Sequence, residues 1–317
     1  MIEIQNLTRK YGDFVAVDNV TTTIRPGEIV GLLGHNGAGK TTMMKMLTGY
    51  LDPSSGSVAV NALDAVRDRQ KLQQLIGYLP ENAPTWGEML VQEYLSTMAE
   101  LRGVSPVQVR NAVLEAARAT DLLGRLTQPI STLSKGLRQR VGIAQAIVHK
   151  PSVLILDEPT NGLDPAQIQG IRKLIQELGK HTTILLSTHI LQEVEAVCSR
   201  VLVLIGGQLV ADAPISELTG SSSVRLSLQG DGTPESLTKH VKGVERVERV
   251  GVDQRMAGYT QWRVSCADGN WPVREILQFA QKSGWQVGSI APETHTLEQV
   301  FQQLEREHIV RREGKVA

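Results

Sequence analysis

Aromatic side chains are scarce in this 317-residue sequence, at 4% of a chain that is 41% hydrophobic, so any large core has to be built from aliphatic residues. Cysteine is scarcer still. Cys198 and Cys266 have no metal-ligand spacing and form no disulfide framework, which fits a reducing compartment. Charge of either sign is not in excess: Lys plus Arg and Asp plus Glu both number 33, so no global field draws the chain to nucleic acid or to acidic lipid. Long apolar runs are missing as well, Val201 to Ile205 being a strand-sized example. The opening Met-Ile-Glu-Ile-Gln lacks the basic-then-apolar order of a signal peptide. The expectation is a soluble protein that reaches a membrane only if a partner holds it there.

What is present is more specific. Gly34-His35-Asn36-Gly37-Ala38-Gly39-Lys40-Thr41-Thr42 satisfies the phosphate-binding pattern GxxxxGK[ST], with the apolar run Ile29 to Leu33 before it and a helix-like stretch from Met43 to Leu47 after it. Glycines allow successive backbone N–H groups to turn toward phosphate oxygens, and the following helix adds its positive end. Lys40 is placed to reach terminal phosphates and the Thr41 hydroxyl to ligate Mg²⁺.

The rest of the first two thirds reads as an α/β core. Strands are expected at Ile2 to Leu7, Phe14 to Ile24, Glu28 to Leu33, Ser57 to Val60, Ile76 to Leu79, Val153 to Leu156, Thr183 to Ser187 and Val201 to Leu204. A helical insertion is expected over about 84–150, and further helices from Pro165 to Leu178 and Leu191 to Val197. A polar linker, Thr219 to Ser223, closes a domain of residues 1–220. Residues 221–307 then read as βαββαβ plus a helix, an α+β order consistent with a ferredoxin-like sandwich. The stretch from Arg306 to Ala317 mixes Arg, Lys and Glu, and residues 308–317 are expected as a solvated tail.

Asp157-Glu158 ends the apolar strand Val153 to Leu156, where an α/β sheet presents its ligands. Asp157 suits Mg²⁺, and Glu158 suits a general base, a role typically worth about 10²- to 10⁴-fold in rate. Leu133-Ser134-Lys135-Gly136-Leu137-Arg138-Gln139-Arg140 resembles the LSGGQ signature of ATP-binding-cassette (ABC) ATPases. Asn161-Gly162-Leu163-Asp164 is similar to that family's D-loop, Ser187-Thr188-His189 to its switch-histidine strand end, and Tyr11 stands where the family places its adenine-stacking aromatic.

The resemblance implies a P-loop NTPase core with a helical subdomain, binding ATP and Mg²⁺ between two copies joined head to tail. It implies that residues 34–42 and Tyr11 hold ATP, that Ser134 and the backbone at Gly136 cap the γ-phosphate of the other copy, and that Asp164 links the two sites. His189 would hold the γ-phosphate and the attacking water in line. Four positions depart from the family pattern. Lys135 and Leu137 replace Gly and Gln, Glu81 stands at the Q-loop glutamine, where it can ligate Mg²⁺ but adds charge, and His35 replaces a common Pro.

The wording of IGYLPE and LSKGLRQR resembles an exporter branch that includes drug-resistance, gliding-motility and copper-processing systems. That implies a separate transmembrane permease, a peripheral place on the cytoplasmic face of the cell membrane, and no nucleic-acid partner. A soluble ABC protein acting on ribosomes or DNA is the alternative, disfavoured by a single phosphate loop and no sustained heptads. For the C-terminal domain, dimerisation or cassette stabilisation is expected ahead of ligand sensing, with Trp262, Trp271 and Trp285 read as core aromatics ahead of pocket walls.

Overall fold

The computed structural model describes residues 1–82, 86–220, 223–229, 234–253, 255–266, 272–293 and 296–313. They form two compact units, one of residues 1–215 with 304 onward, the other of 216–303.

In the first unit, β1 (Ile2–Tyr11) and β2 (Phe14–Ile24) form a hairpin, and β3 (Ile29–Leu33) runs into the phosphate loop and α1 (Lys40–Leu47). Next come β4 (Ser55–Val60), β5 (Leu63–Asp64), α2 (Arg69–Leu75) and β6 (Ile76–Leu79). The insertion holds α3 (Val91–Leu101), α4 (Pro106–Ala119) and α5 (Lys135–Ile147). The chain returns through β7 (Val153–Asp157), α6 (Pro165–Gly179), β8 (Thr183–Thr188), α7 (Leu191–Val197), β9 (Arg200–Ile205) and β10 (Gln208–Pro214).

Two sheets result. An antiparallel one has the order β2-β1-β4-β5. The other is β10-β9-β3-β8-β7-β6, parallel except for the antiparallel edge strand β10. A parallel sheet covered on both faces needs continuous apolar strands. On β7, Val153 and Ile155 join the core that contains Met43, Met44 and the antiparallel sheet, while Leu154 and Leu156 join Ile143, Ile171 and Ile175 of the helices behind. Each such side chain contributes about 1.5–3 kcal/mol on burial. The helices of the insertion keep a separate core around Tyr94, Leu95, Val113 and Val141.

Helix α5 approaches β6 very closely. A Cβ on Gly77 would lie 2.0 Å from the Ala146 carbonyl oxygen, and Gln145 Nε2 donates to the Tyr78 carbonyl at 2.8 Å.

The second unit begins within α8 (Ile215–Thr219). It contains β11 (Ser223–Gln229), α9 (Leu237–His240), β12 (Val244–Val252), β13 (Thr260–Cys266), α10 (Val273–Lys282), β14 (Gln286–Pro292) and the first part of α11 (Leu297–Glu313). Its sheet order is β12-β13-β11-β14, antiparallel at every pairing, the arrangement of a split βαβ sandwich.

Several expectations need correction. Strand β1 reaches Tyr11, α1 starts at Lys40, and β5, α2 and β10 were not anticipated. Strand β10 follows a Gly206-Gly207 turn in which both glycines have positive φ, a hairpin signal that the sequence reading passed over. Of the expected linker, Thr219 ends a short helix and Ser223 begins a strand, and residues 221–222 lie outside the described residues. Helix α11 runs to Glu313, past residue 307 where the accessory domain was expected to end, and residues 314–317 of the expected tail lie outside the described residues. Trp262 and Trp285 pack on the core beneath the helices, whereas Trp271 lies outside the described residues.

In the second unit Glu293 is buried and accepts from Arg225 Nη2 at 2.8 Å and from Arg263 Nη2 at 2.7 Å. The Arg263 hydrogen bond is the main cause that holds its carboxyl at about 2, against the opposing effect of burial. A depressed carboxylate stabilises the fold above its unfolded pKa, and that stability is lost as pH falls through about 2. Urea unfolding of the wild type should therefore weaken on acidification from about pH 5 toward pH 2 more than that of Glu293→Gln, whose slope in this window should be shallower. Gly77→Ala should cost roughly 1–3 kcal/mol by the same measurement, because it pushes α5 off β6.

Candidate nucleotide site

The site forms where β3, β7 and β8 end together. Leu33 pairs with Thr188, and Asp157 pairs with Ser187. After β3 the chain turns through Gly37 (φ +82°) and Gly39 (φ +103°) before α1. Gly39 allows no side chain: a Cβ would stand 2.3 Å from the Ala16 carbonyl oxygen. Gly34 is equally confined, 2.5 Å from the Leu204 carbonyl oxygen. Gly37 has open space around it, so only its backbone conformation demands glycine.

Lys40 is only 6% exposed. Its ammonium donates to the carbonyls of Gly34 at 2.7 Å and His35 at 3.2 Å, and lies 3.7 Å from Glu158 Oε1. A cavity of about 360 Å³ opens over the loop, lined by Tyr11, Phe14, Ala16, Asn36, Gly37, Gly39, Lys40, Thr41, Thr42, Glu81 and Glu158. Tyr11 and Phe14 are exposed cross-strand partners at the tip of the β1–β2 hairpin. The Arg9 guanidinium covers one face of the Tyr11 ring, 4.6 Å from its centroid.

Two carboxylates follow β7, and their surroundings differ. Asp157 is fully buried. One oxygen accepts from the Ser187 hydroxyl, and the other, Oδ2, has no hydrogen-bond partner. A buried lone oxygen of this kind is costly unless a cation or water answers it. Glu158 takes a left-handed backbone conformation, φ +48°, unusual for a non-glycine residue. Its N–H donates to the Ser187 carbonyl at 3.1 Å and hydroxyl at 3.2 Å, and its Oε2 lies 3.0 Å from His189 Nδ1. One carboxylate is thus set between an imidazole and an ammonium, facing the cavity.

Sequence reasoning missed the support beneath this arrangement. Ser187 bonds both Asp157 and Glu158, and Glu193 on α7, 2% exposed, accepts from the hydroxyls of Thr160 and Thr188. The available signal was an acid beside Val194 on the apolar face of a short helix. His35, expected among the ATP-binding residues but unexplained as a replacement for Pro, has its Nε2 2.8 Å from Glu305 Oε1 of α11. Glu81 lines the cavity, and its Oε1 is 3.5 Å from Asn161 Nδ2.

The remaining predicted residues lie apart from the cavity. Ser134 caps α5, its hydroxyl accepting from Leu137 N at 3.3 Å, and Asp164 caps α6, accepting from Gln167 N at 2.9 Å. Gly136 packs against Gln167, and Lys135 lies over Gly162, so the signature and D-loop segments are neighbours. None of Ser134, Gly136 or Asp164 lines the cavity above Lys40.

The family described as ABC transporter matches residues 17–161. A Bacillus subtilis (strain 168) ABC transporter ATP-binding protein, YdbJ, itself uncharacterized, is 32% identical over 95% of this chain and 94% of its own length. The chain belongs to the ABC transporter ATP-binding proteins. As a member of this ATPase family it is also similar to the bacitracin transport ATP-binding protein BcrA of Bacillus licheniformis, 34% identical over 72% of this chain and 74% of the relative. Among solved structures, an ATP-binding subunit of an ABC transporter superposes with a TM-score of 0.63 at 30% identity, covering 69% of this chain and 91% of the other. The ABC cassette MJ0796 shares the fold, with a TM-score of 0.62 at 24% identity over 68% and 99% of the two chains.

The two loop glycines should respond differently to alanine. Gly39→Ala meets a backbone oxygen and should abolish binding of a fluorescent ATP analogue, whereas Gly37→Ala strains only its own backbone, by about 1–2 kcal/mol, and should weaken binding measurably without eliminating it.

Proposed function

We propose that this chain is the ATP-hydrolysing subunit of an ABC exporter, working as a head-to-tail pair on a separate transmembrane permease. One observation carries the reading: Lys40, Glu158 and His189 are gathered over the phosphate loop, while Ser134, Gly136 and Asp164 stand elsewhere on the same chain. Half a site on each of two surfaces is completed by a second copy.

In this mechanism the base of ATP stacks on the free face of Tyr11, and the backbone N–H groups of residues 34–42 receive the phosphates. Lys40 exchanges its carbonyl partners for β- and γ-phosphate oxygens. Glu158 then accepts a proton from the attacking water as the water oxygen bonds to the γ-phosphorus, the bond from that phosphorus to the bridging oxygen breaks and ADP leaves. His189, held against Glu158, steers the water and the γ-phosphate into line. Ser134 and the Gly136 backbone of the second copy cap the γ-phosphate. The unpartnered Asp157 Oδ2 and the Thr41 hydroxyl, with Glu81 at the rim, fit Mg²⁺, which favours oxygen ligands. Among the described residues no three His, Cys, Asp or Glu side chains are gathered as a metal site, so the ion would take its other ligands from phosphate and water. Bound there, Mg²⁺ would offset the charge of the phosphates.

Residues 1–220 serve as the nucleotide-binding domain in this reading, and 221–307 as an accessory domain. Among the described residues no helix is long and apolar enough to cross a membrane. The place that goes with the proposed function is peripheral, on the cytoplasmic face, with the permease as anchor. A cleft of about 300 Å³ lined by Tyr50, Tyr78, Tyr94, Met98 and Arg102 offers that permease an apolar seat with a basic edge. The bacitracin transport relatives support drug-type cargo.

Purified Glu158→Gln should lose at least about 100-fold in ATP turnover and form an ATP-dependent dimer on size-exclusion chromatography. Adding Ser134→Arg to it should leave nucleotide affinity within about threefold, since that serine serves the other copy, yet abolish the dimer. Wild-type turnover in Glu158→Gln, or an undiminished dimer with Ser134→Arg, would sink the proposal.

A further inference from the structure

The second unit has a hollow on the sheet face opposite its helices. Val224, Leu226 and Leu228 of β11 point into the core with α9 and α10, so the alternation of a strand turns Arg225 and Ser227 to the other face. Strand register sets Gly251, Gln261, Ser227 and Ser289 in one cross-strand row, with Glu248, Arg263, Arg225 and Ala291 in the next. The small members of these rows keep the floor low.

Asp253 and residues 255–259 are fastened above that floor. Asp253 N donates to the Tyr259 carbonyl at 2.8 Å, and the Asp253 carboxylate accepts from the Ser227 hydroxyl at 2.5 Å and from Arg255 N at 2.8 Å. Met256 and Tyr259 lie against Gly288, where a Cβ would be 2.6 Å from the Met256 sulfur. Between these residues and the sheet is a cavity of about 760 Å³, lined by Arg225, Arg255 and Gln261 together with Val250, Val252 and Met256.

The charges in this cavity are not equally available. Asp253 is buried and its oxygens are already occupied, so it offers little to a cation. Arg225 gives one N–H to Glu293, which fixes its orientation, yet its side chain stays 45% exposed. Arg255 is exposed, and its side chain makes no hydrogen bond among the described residues. An incoming molecule therefore meets two guanidiniums beside exposed valines. Guanidiniums favour planar or tetrahedral oxyanions, and the volume lies in the range of small-molecule sites.

We propose that this cavity binds a small organic anion, its carboxylate, phosphate or sulfonate head on Arg225 and Arg255 and its apolar body along Val250, Val252 and Met256. It shares no lining residue with the nucleotide cavity and does not depend on the reading of that cavity.

The test titrates hexyl phosphate, hexanoate and hexylammonium into the full chain by calorimetry. The two anions should saturate one site, and hexylammonium should give no binding heat. Arg255→Ala and Val252→Glu should each weaken the anions at least about tenfold, with thermal unfolding and ATP binding unchanged. Lys40→Ala, which disables the phosphate loop, should leave anion binding intact. Equal affinity for the cation, no saturation at millimolar concentration, or anion binding lost in Lys40→Ala and kept in Arg255→Ala would each overturn the proposal.

Discussion

A lysine ammonium buried at the end of a parallel sheet has to be surrounded by oxygen, and the nucleotide site is organised around that requirement. Lys40 meets it with two carbonyls of its own loop and a more distant carboxylate. Those carbonyls face inward only because Gly37 and Gly39 take positive φ and because Gly39 lets the loop lie against Ala16. The carboxylate is within reach because Glu158 accepts a strained backbone, of order 1–3 kcal/mol, that Ser187 holds in place through two hydrogen bonds. Loop, strand ends and base thus answer one buried charge. Under the proposed function, phosphate binding is for the same reason an exchange of partners for Lys40, so its net affinity is smaller than the sum of the new contacts.

The chemistry was legible from the sequence wherever it depends on local pattern. The glycine spacing of residues 34–42 and the acid pair after β7 are set by short-range backbone demands, so they announce themselves in a single stretch. The split sandwich of the second unit was equally readable, because its strands alternate and its turns are marked. What escaped depends on distant partners. Ser187 and Glu193 look ordinary in sequence, and they matter because β8 lies beside β7 and because Thr160 and Thr188 converge on one buried carboxylate. Helix α11 runs beyond the expected end at residue 307 for a related reason: the mixed charges that follow suit a solvated helix as well as a solvated coil, and nothing local marks a stop.

Lys135 shows how a departure from a family pattern is accommodated. A longer side chain stands where glycine is usual, and the structure lays it over Gly162, a position without a Cβ. The Ser134 cap and the helix start at α5 are retained, so the groups expected to meet a phosphate keep their backbone geometry. The substitution is absorbed by the neighbouring D-loop and leaves the capping end of the helix alone.

The separation of Ser134, Gly136 and Asp164 from the cavity above Lys40 also bears on when ATP is spent. Under the two-copy reading, isolated chains must find each other by diffusion, so turnover per molecule rises with their concentration. A permease that seats two copies replaces that search with a local concentration of order millimolar. Hydrolysis is then concentrated in assembled transporters, and unassembled chains idle with nucleotide bound. On that reading the geometry of a divided site acts as a census of assembly.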